Sequence, residues 1–253
     1  MKQHISAPAP RMLLRLIQLM ATLEQQNLMH TSQARFCEIG PGLGDASSLA
    51  LDCFDIQEAH LYEDAAAARS LLEKRFTDQE RVLILDSFRA KPDYYNLVMC
   101  FEVIEHIEHD QTFIDSIFTS MQTDGHFLGS VPAYMSKWQD VDELAGHFRR
   151  YERQELQDKL EAAGFTDVHL YPYGFPLINL LYPLRKLYYS GLLRKRQQTD
   201  MATATAKSGI SRGLAKSFNT SFVLCIVRFF SLFQSIPYLS RLGDGFVFTC
   251  RKP

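Results

Sequence analysis

The sequence lacks several patterns that would indicate its chemistry directly. Its five cysteines are scattered and none follows a C-x-x-C spacing, which favours a reducing, cytoplasmic compartment. It has no G-x-x-x-x-G-K-S/T loop of the kind that binds nucleotide phosphates. Lysine plus arginine (27) nearly balances aspartate plus glutamate (29), so the strongly basic face typical of nucleic-acid binding is not expected. We therefore predict no nucleic-acid partner.

Long uninterrupted hydrophobic runs are also scarce. The apolar stretch from Met12 to Met20 contains Arg15, and no small-residue cleavage site follows it. Its apolar residues recur at helical spacing, which predicts an amphipathic helix over Arg11–Leu28 that covers or flanks a site. The stretch Ser221–Leu239 is broken by a charge and a proline, so an amphipathic helix is predicted there too, not a membrane span.

Strand-like and helix-like segments alternate through the central part of the chain. With 253 residues, 46% of them hydrophobic, the chain suits one elaborated α/β domain. The alternation predicts an open twisted sheet, mostly parallel, with helices on both faces. After a first strand at Phe36–Ile39, the predicted strands are Ala59–Tyr62, Arg81–Leu85, Tyr95–Cys100, His126–Val131, Asp167–Tyr171 and Phe246–Cys250. The predicted helices are Ala46–Phe54, Ala65–Phe76, Thr112–Met121 and Arg153–Ala163.

Composition predicts four parts within this domain. They are an N-terminal helical lid (1–35), a ligand-binding core (36–173), a helical insertion facing substrate or membrane (174–245) and a closing strand (246–253) at the sheet edge or beside its last neighbour. Within the insertion, 197–216 is rich in threonine, alanine and serine, which predicts a mobile loop. A basic cluster at Arg194–Arg196 together with the apolar stretch suits an anionic membrane surface, with a lid or a dimer face as alternatives.

The most informative segment runs from Phe36 to Asp45, where an apolar strand opens into glycines at alternate positions. Such glycines allow a sharp turn and let a ligand approach the backbone. Dinucleotide-binding turns follow G-x-G-x-x-G, but here Gly44 lies four positions after Gly40, and the acid Glu38 precedes the turn. A carboxylate there suits a cationic ligand such as S-adenosylmethionine, or a turn that hydrogen-bonds to itself.

Polar residues follow the next predicted strands in order. Because ligands bind beyond the carboxyl ends of parallel strands, these residues are binding candidates. Glu63, or Asp64 if the strand is one residue longer, can accept both hydroxyls of a ribose. Asp86 and Ser87 can bind an adenine amino group, with Phe88 or Phe101 covering the ring.

The segments Cys37–Gly44 and Phe101–His106 resemble the class I S-adenosylmethionine-dependent methyltransferases, and the resemblance extends over Phe36–Tyr171. It implies a Rossmann-like fold and S-adenosylmethionine as the cofactor. It also implies cofactor-binding roles, in which the methionine part lies on Glu38, Gly40 and Gly42, the ribose on Glu63, the adenine on Asp86 and Ser87, and the sulfonium beside Phe101 and Glu102. Glu102 and His106 stand four positions apart but belong to this methyltransferase pattern, so no metal site is predicted.

A second segment, Ser130–Tyr151, ends in Gly146-His147-Phe148-Arg149-Arg150-Tyr151 and resembles a bacterial subgroup of small-molecule methyltransferases with a G-H-x-R-R-Y loop. In this fold the loop faces the cofactor's methyl group. Methyl transfer depends mainly on alignment in a water-poor pocket, and a base is needed only for acceptors that start protonated. We predict His147 as that base, oriented by Asp142, with His106 as the alternative. The predicted substrate-binding residues are Tyr134, Trp138, Arg149, Arg150 and Tyr151.

The sequence thus predicts a cytoplasmic methyltransferase, in peripheral contact with the inner face of a membrane if its acceptor is lipid-linked. The acceptor is expected to be small or lipid-like, and its reacting atom an oxygen. Two alternatives remain: a non-catalytic scaffold or membrane-associated binding protein that keeps the fold, and a nicotinamide-dependent enzyme. The second requires a third glycine where this chain has Asp45. The oligomeric state is left open.

Overall fold

The computed structural model of the protein describes residues 10–28, 33–184, 186, 226, 228–233 and 241–253. The strands are β1 (Ala34–Ile39), β2 (Ile56–Tyr62), β3 (Val82–Leu85), β4 (Tyr95–Phe101), β5 (Met121–Pro132), β6 (Thr166–Tyr173) and β7 (Gly245–Arg251). They form one sheet in the order β3-β2-β1-β4-β5-β7-β6, in which β1 to β5 run parallel and β7 is antiparallel to both of its neighbours. The predicted open, mostly parallel sheet is confirmed.

Helices cover both faces of this sheet. They are α1 (Pro10–Gln25), α2 (Asp45–Cys53), α3 (Ala66–Arg75), α4 (Asp110–Ser120), α5 (Asp140–Ala145) and α6 (Arg153–Ala162). Apolar residues of α1, α2 and α3 pack into the core on one face, and those of α4 and α6 into the core on the other. Each predicted helix between the strands lies within a few residues of its predicted position.

The central strand β4 shows why the sheet is buried on both sides. Leu97, Met99 and Phe101 belong to the core beneath α1 to α3, whereas Val98 and Cys100 belong to the core beneath α4 and α6. Side chains of a strand alternate between its two faces, so an almost uninterrupted apolar run is required when both faces are covered. The thiol of Cys100 is free and buried, as expected for a cysteine that packs as a small hydrophobe.

The register of the parallel strands aligns their carboxyl ends. Ile39 of β1 pairs with Tyr62 of β2 on one side and Cys100 of β4 on the other, and Tyr62 pairs with Leu85 of β3. The residues that follow these four positions therefore lie along one edge of the sheet. This edge carries the candidate site.

The last strand, β7, lies between β5 and β6. Its predicted position at the sheet edge is therefore wrong, whereas the prediction that it lies beside the preceding strand, β6, is correct. Gly129 of β5 makes this position accessible. A Cβ atom at Gly129 would lie 2.6 Å from Cε1 of Phe248 and 2.7 Å from the carbonyl oxygen of Cys100. The absence of a side chain at Gly129 leaves space for the Phe248 ring of β7.

Most of the predicted insertion lies outside the described residues, including the predicted loop at 197–216 and the basic cluster Arg194–Arg196. Residues 177–184 are helical, and within the predicted helix Ser221–Leu239 the described residues 226 and 228–231 are helical. In the described part of the chain, no helix has the length and apolar character needed to cross a membrane.

Candidate functional site

The glycine turn after β1 can exist only with glycine at its first position. Gly40 has a φ of 69°, a left-handed conformation that side chains disfavour, and a Cβ atom there would overlap Cγ2 of Val103. The backbone N–H of Gly40 donates to the carbonyl of Tyr62 at 2.8 Å, which holds the turn against the end of β2. Glycine is therefore required at this position both by the left-handed backbone and by the close packing of Val103 against it.

Glu38 lies directly beneath this turn and is 1% exposed. Its carboxylate accepts a hydrogen bond from the hydroxyl of Ser47 on α2. Burial raises the pKa of Glu38 to about 7, and the Ser47 hydrogen bond and the charge of Arg15 only partly oppose this rise. The ionised form of such a buried carboxylate is stabilised when a cation approaches it. The structure thus supports both interpretations of Glu38 from the sequence, because its carboxylate hydrogen-bonds within the chain and can also attract a cationic ligand.

Glu63 begins the segment after β2 and joins it to the glycine turn. Its two carboxylate oxygens accept the backbone N–H groups of Gly42 and Ala65, each at 3.0 Å. Burial raises the pKa of Glu63, although these two hydrogen bonds oppose the rise. Asp64 is exposed, so the geometry favours Glu63 over Asp64 as the predicted ribose-binding acid. Each oxygen keeps a further lone pair for a hydroxyl.

The predicted adenine-binding residues follow β3. The carboxylate of Asp86 accepts the backbone N–H of Ser87 at 2.7 Å, and both side chains are exposed at the edge. Phe88 is half-buried and meets Tyr62 edge-on, with 5.3 Å between the ring centroids. Phe101 is buried in the core, and the guanidinium of Arg15 lies 5.5 Å from its ring centroid. Of the two predicted ring-covering residues, Phe88 is the more accessible.

Glu102, directly after β4, is the centre of a charged network that also involves α1. Arg11 forms an ion pair with one carboxylate oxygen, while Ser130 and Tyr173 donate hydroxyl hydrogen bonds to the other at 2.8 and 3.0 Å. Burial by itself would raise the pKa of Glu102, but Arg11 and Arg15 outweigh it and lower the pKa to about 2. Glu102 is therefore a firmly ionised anchor for the N-terminal helix.

Sequence reasoning missed the arginines of this network. Arg11 and Arg15 stand four positions apart on α1, so they share one helix face, and that spacing was the available signal. Arg11 also donates to Asp244, just before β7, at 2.7 Å. These contacts join α1 to the end of β4 and to the residue before β7. The role of α1 as a lid, like the wider division of the chain into parts, remains a prediction.

His147 forms a second cluster at this edge with Glu105 and His106. Glu105, His106 and His147 each offer a ligand atom within 4.8 Å of the others, and the two imidazole rings meet edge-on with centroids 4.6 Å apart. Burial raises the pKa of Glu105 well above its usual range, and the charge of Glu102 adds to the rise. Burial and the neighbouring His147 lower the pKa of His106 to about 4, so His106 is neutral at physiological pH.

The orientation predicted for His147 is present in the structure. The Nδ1 atom of His147 lies 2.9 Å from Oδ1 of Asp142, and the buried guanidinium of Arg150 pairs with the other oxygen of Asp142, Oδ2, at 2.9 Å. Burial would raise the pKa of Asp142, but His147 and Arg150 lower it below its usual range. An ionised Asp142 accepts a hydrogen bond from Nδ1, which favours the neutral tautomer in which Nε2 of His147 carries the lone pair.

The predicted substrate-binding residues have different environments. Arg150 and Tyr151 are both buried. The guanidinium of Arg150 pairs with Asp142, and the hydroxyl of Tyr151 donates to the carboxylate of Asp110 at 2.8 Å. Arg149 is half-buried and pairs with Asp110 at 2.8 Å. Arg150 and Tyr151 therefore support the loop from within, and a direct substrate contact for any of these three residues remains a prediction.

Tyr134 and Trp138 are more accessible than Arg150 and Tyr151. Both are half-buried, and Tyr134 packs edge-on against Phe246, with 5.3 Å between the ring centroids. The indole N–H of Trp138 points to Glu143 at 3.5 Å. Both side chains can contact a ligand without leaving the loop.

The residues present fit S-adenosylmethionine in their chemistry. Glu38 provides a carboxylate beneath the glycine turn, and Glu63 offers lone pairs for a ribose. Glu38 lies near the end of β1, and Glu63 and Glu102 follow β2 and β4. Because Arg11 and Arg15 pair with Glu102, Glu38 and Glu63 are the carboxylates that suit a ligand with an ammonium and a sulfonium.

Solved structures align with almost the whole chain. A phosphoethanolamine N-methyltransferase of Haemonchus contortus, solved with S-adenosyl-L-methionine, is 15% identical with a TM-score of 0.58, and the alignment covers 94% of this chain and 52% of that enzyme. This chain thus spans about half the length of that relative. At this identity the likeness shows a shared fold.

Two further structures are similar over nearly their full lengths. An S-adenosylmethionine-dependent methyltransferase of Mesorhizobium loti is 12% identical with a TM-score of 0.55, covering 91% of this chain and 97% of that one. The 4+2 cyclase SpnF is 11% identical with a TM-score of 0.57, covering 98% of this chain and 97% of that one.

Sequence comparison identifies the family. No curated protein matches the chain significantly. Residues 8–170 match the family described as methyltransferase domain. Since the match covers more than half of the chain and agrees with the fold, the protein belongs to the methyltransferase domain family.

Proposed function

We propose that the protein transfers the methyl group of S-adenosylmethionine to an oxygen atom of a small or lipid-like acceptor. The observation that carries this proposal is the position of the His147 and Asp142 pair, with Nδ1 and Oδ1 2.9 Å apart, in the loop beside the strand-end acids. A hydroxyl acceptor starts protonated, so its methylation benefits from a group that takes up or displaces the proton. Nitrogen acceptors that are already neutral need no such group.

Each part of the site has a task in this proposal. When bound, the cofactor supplies an electrophilic methyl group on a sulfonium. Glu38, Gly40 and Gly42 would hold its methionine part and Glu63 its ribose. His147, oriented by Asp142, would act on the acceptor's proton, while Tyr134 and Trp138 would position the acceptor in a water-poor pocket.

Exposed apolar side chains between β6 and β7 support a lipid-like acceptor. Leu180 and Leu184 lie on the helical residues 177–184, and Phe229 and Leu232 lie on a second described stretch; all four are more than half exposed. Apolar side chains in this arrangement suit a membrane surface or an apolar acceptor. Co-sedimentation with anionic vesicles tests this part. Binding that weakens in Leu184→Gln but not in Leu83→Gln, an exposed leucine on β3, is the expected result.

Calorimetric titration with S-adenosylhomocysteine tests the cofactor site. We expect micromolar binding to the wild-type protein, none with NAD, and a loss of at least about tenfold in Gly40→Ala, since the added Cβ overlaps Val103. The matched control is Gly164→Ala, which also adds a Cβ at positive φ (105°) but beside Phe118, where no cofactor-binding residue is predicted. The control should lose stability and keep its affinity.

A screen with radiolabelled methyl donor then tests transfer. Label appearing in hydroxyl-bearing acceptors, and less of it with His147→Gln, supports the proposal. If the folded protein binds S-adenosylhomocysteine but labels no acceptor, a binding or scaffolding role is favoured. The fold by itself does not fix the activity, since a cyclase shares it.

A further inference from the structure

A buried carboxylate in the loop after β4 lacks a hydrogen-bond donor. Glu105 is 0% exposed, and neither of its carboxylate oxygens accepts a hydrogen bond from another described residue. The nearby Arg11 pairs with Glu102 and Asp244 instead. Burial of a charged carboxylate without a partner is costly, so such a group either takes up a proton or faces a cation or a metal ion.

Two imidazoles face this carboxylate. The Nε2 atom of His147 lies 3.9 Å from Oε1 of Glu105. The ligand atoms of Glu105, His106 and His147 all lie within 4.8 Å of one another. With metal–ligand bonds of about 2.1 Å, tetrahedral ligand atoms are about 3.4 Å apart, so small side-chain rotations suffice to close the set around an ion.

Both histidines are oriented as metal ligands usually are. The Nδ1 atom of His147 lies 2.9 Å from Asp142 Oδ1, and the Nδ1 atom of His106 lies 3.3 Å from the carbonyl oxygen of Gly146. Each Nδ1 therefore carries the proton and donates it to an oxygen. Each Nε2 then keeps its lone pair for coordination, as in the carboxylate–histidine–metal arrangement.

We infer that Glu105, His106 and His147 bind one divalent transition-metal ion of the class that prefers imidazole and carboxylate ligands, such as Zn²⁺. Two imidazole nitrogens and one carboxylate leave coordination positions open, as in catalytic rather than structural sites. The sequence prediction of no metal is thereby revised. It considered Glu102 and His106, whereas the fold directs Glu102 to Arg11 and brings the distant His147 to Glu105.

This step rests on the proposed function, in which His147 acts as a base. With an ion bound, His147 would be a metal ligand instead, because the lone pair on Nε2 cannot accept a proton and bind the ion at the same time. With the ion bound, a hydroxyl oxygen of the acceptor would occupy an open position and lose its proton to water, because a bound cation lowers the pKa of that hydroxyl. The substrate class would then be hydroxyl compounds able to reach the ion.

Metal titration of the full-length, tag-free protein, first dialysed against a chelator, tests the site without cofactor or acceptor. We expect one equivalent of Zn²⁺ to bind, and a hundredfold excess over Kd to raise Tm by about 5 to 10 °C. Co²⁺ should develop the visible absorption of a site with fewer than six ligands. Mg²⁺, which prefers oxygen ligands, should not compete at equal concentration.

Variants decide whether these residues are the ligands. Glu105→Gln and His147→Gln should each weaken Zn²⁺ binding more than about 100-fold, and Asp142→Asn, one step removed, by about 10- to 100-fold. His169→Gln, which removes an exposed histidine of β6, should bind like the wild type. Glu105→Gln keeps the shape of the side chain, and circular dichroism checks its fold.

Two results would overturn the inference: wild-type protein that binds less than one equivalent without a Co²⁺ spectrum, or folded Glu105→Gln that binds Zn²⁺ as tightly as the wild type. The wild-type measurements stand alone should a variant fail to fold. A parallel titration with S-adenosylhomocysteine separates the two proposals, because a missing metal site leaves cofactor binding intact.

Discussion

Arg11 on α1 forms an ion pair with Glu102 at the end of β4, and it also donates to Asp244 immediately before β7. The guanidinium therefore joins three parts of the chain that are distant in sequence. Both carboxylates are largely buried, so the positive charge of this arginine stabilises them where little water can do so. The N-terminal helix is thus attached to the candidate site by electrostatic contacts as well as by apolar packing.

Replacing Arg11 by glutamine should lower the free energy of unfolding by about 1 to 3 kcal/mol at pH 7, because Glu102 keeps only part of its countercharge. The pKa of Glu102, about 2, lies below its ordinary value of about 4.5. Its stabilising contribution is therefore complete above pH 4.5 and is lost as the pH falls towards 2. The variant should show a shallower loss over this range in urea unfolding.

Arg251→Gln is the control for this measurement. Arg251 also contacts two carboxylates, Asp124 and Asp167, but all three side chains are well exposed. Exposed pairs contribute little, so this change should cost clearly less than Arg11→Gln. Equal losses of unfolding free energy in Arg11→Gln and Arg251→Gln would show that the Arg11 contacts stabilise the protein no more than exposed ion pairs do.

Local sequence patterns were sufficient to predict the elements around the site. Helix α6 begins at a capping box formed by Glu152 and Glu155 and is followed by Gly164, so both of its ends are marked by local sequence signals. The helix lies where it was predicted. The strand-end acids followed from the same logic, because parallel strands in register bring Glu63 and Glu102 to one edge once the strands are identified.

Contacts between distant segments could not be predicted in this way. The pairing of Phe248 with Gly129 places β7 inside the sheet, and only the packed structure shows that the ring needs the space above the glycine. Likewise, Glu105 and His147 meet because the loop after β5 folds back on the turn after β4. No periodicity in the sequence encodes such a meeting.

Glu38→Gln should make the protein more stable at neutral pH. The pKa of Glu38, about 7, lies above its ordinary value of about 4.5, so ionisation of this carboxylate is a cost that grows between pH 4.5 and 7 and is constant above. The 2.5-unit shift corresponds to about 3 kcal/mol at pH 8 as an upper value. Urea unfolding at pH 5 and pH 8 measures the difference between variant and wild type.

Ser47→Ala provides the opposite change at the same place. It removes the hydroxyl that hydrogen-bonds to Glu38, so the pKa of Glu38 should rise further and the loss of stability with increasing pH should become steeper. If wild type, Glu38→Gln and Ser47→Ala lose stability in parallel between pH 5 and 8, Glu38 does not titrate in this range.

Arg150→Ala should be among the most damaging substitutions in the loop. Arg150 is 2% exposed and Asp142, its partner, 1%, so truncation leaves a buried carboxylate without countercharge, at a cost of about 3 to 5 kcal/mol. Arg149→Ala, next in sequence but half-buried, should cost about 1 kcal/mol. Denaturant midpoints compare the two, and a similar cost for both would refute the internal supporting role assigned to Arg150.

Glu63→Gln and Asp64→Asn distinguish two adjacent acids as ribose ligands. Glu63 already binds the turn through Gly42, whereas Asp64 is exposed, so only Glu63→Gln should weaken binding of S-adenosylhomocysteine, by about 10- to 100-fold. Binding of methylthioadenosine, which has the ribose and adenine but no amino acid part, separates the contribution of the ribose from that of the ammonium group. Glu63→Gln should weaken both ligands by the same factor, because both carry the ribose. Glu38→Gln should weaken S-adenosylhomocysteine alone, because only that ligand brings an ammonium group. If Asp64→Asn weakens methylthioadenosine and Glu63→Gln does not, then Asp64 holds the ribose, and Glu63 serves only to brace the glycine turn.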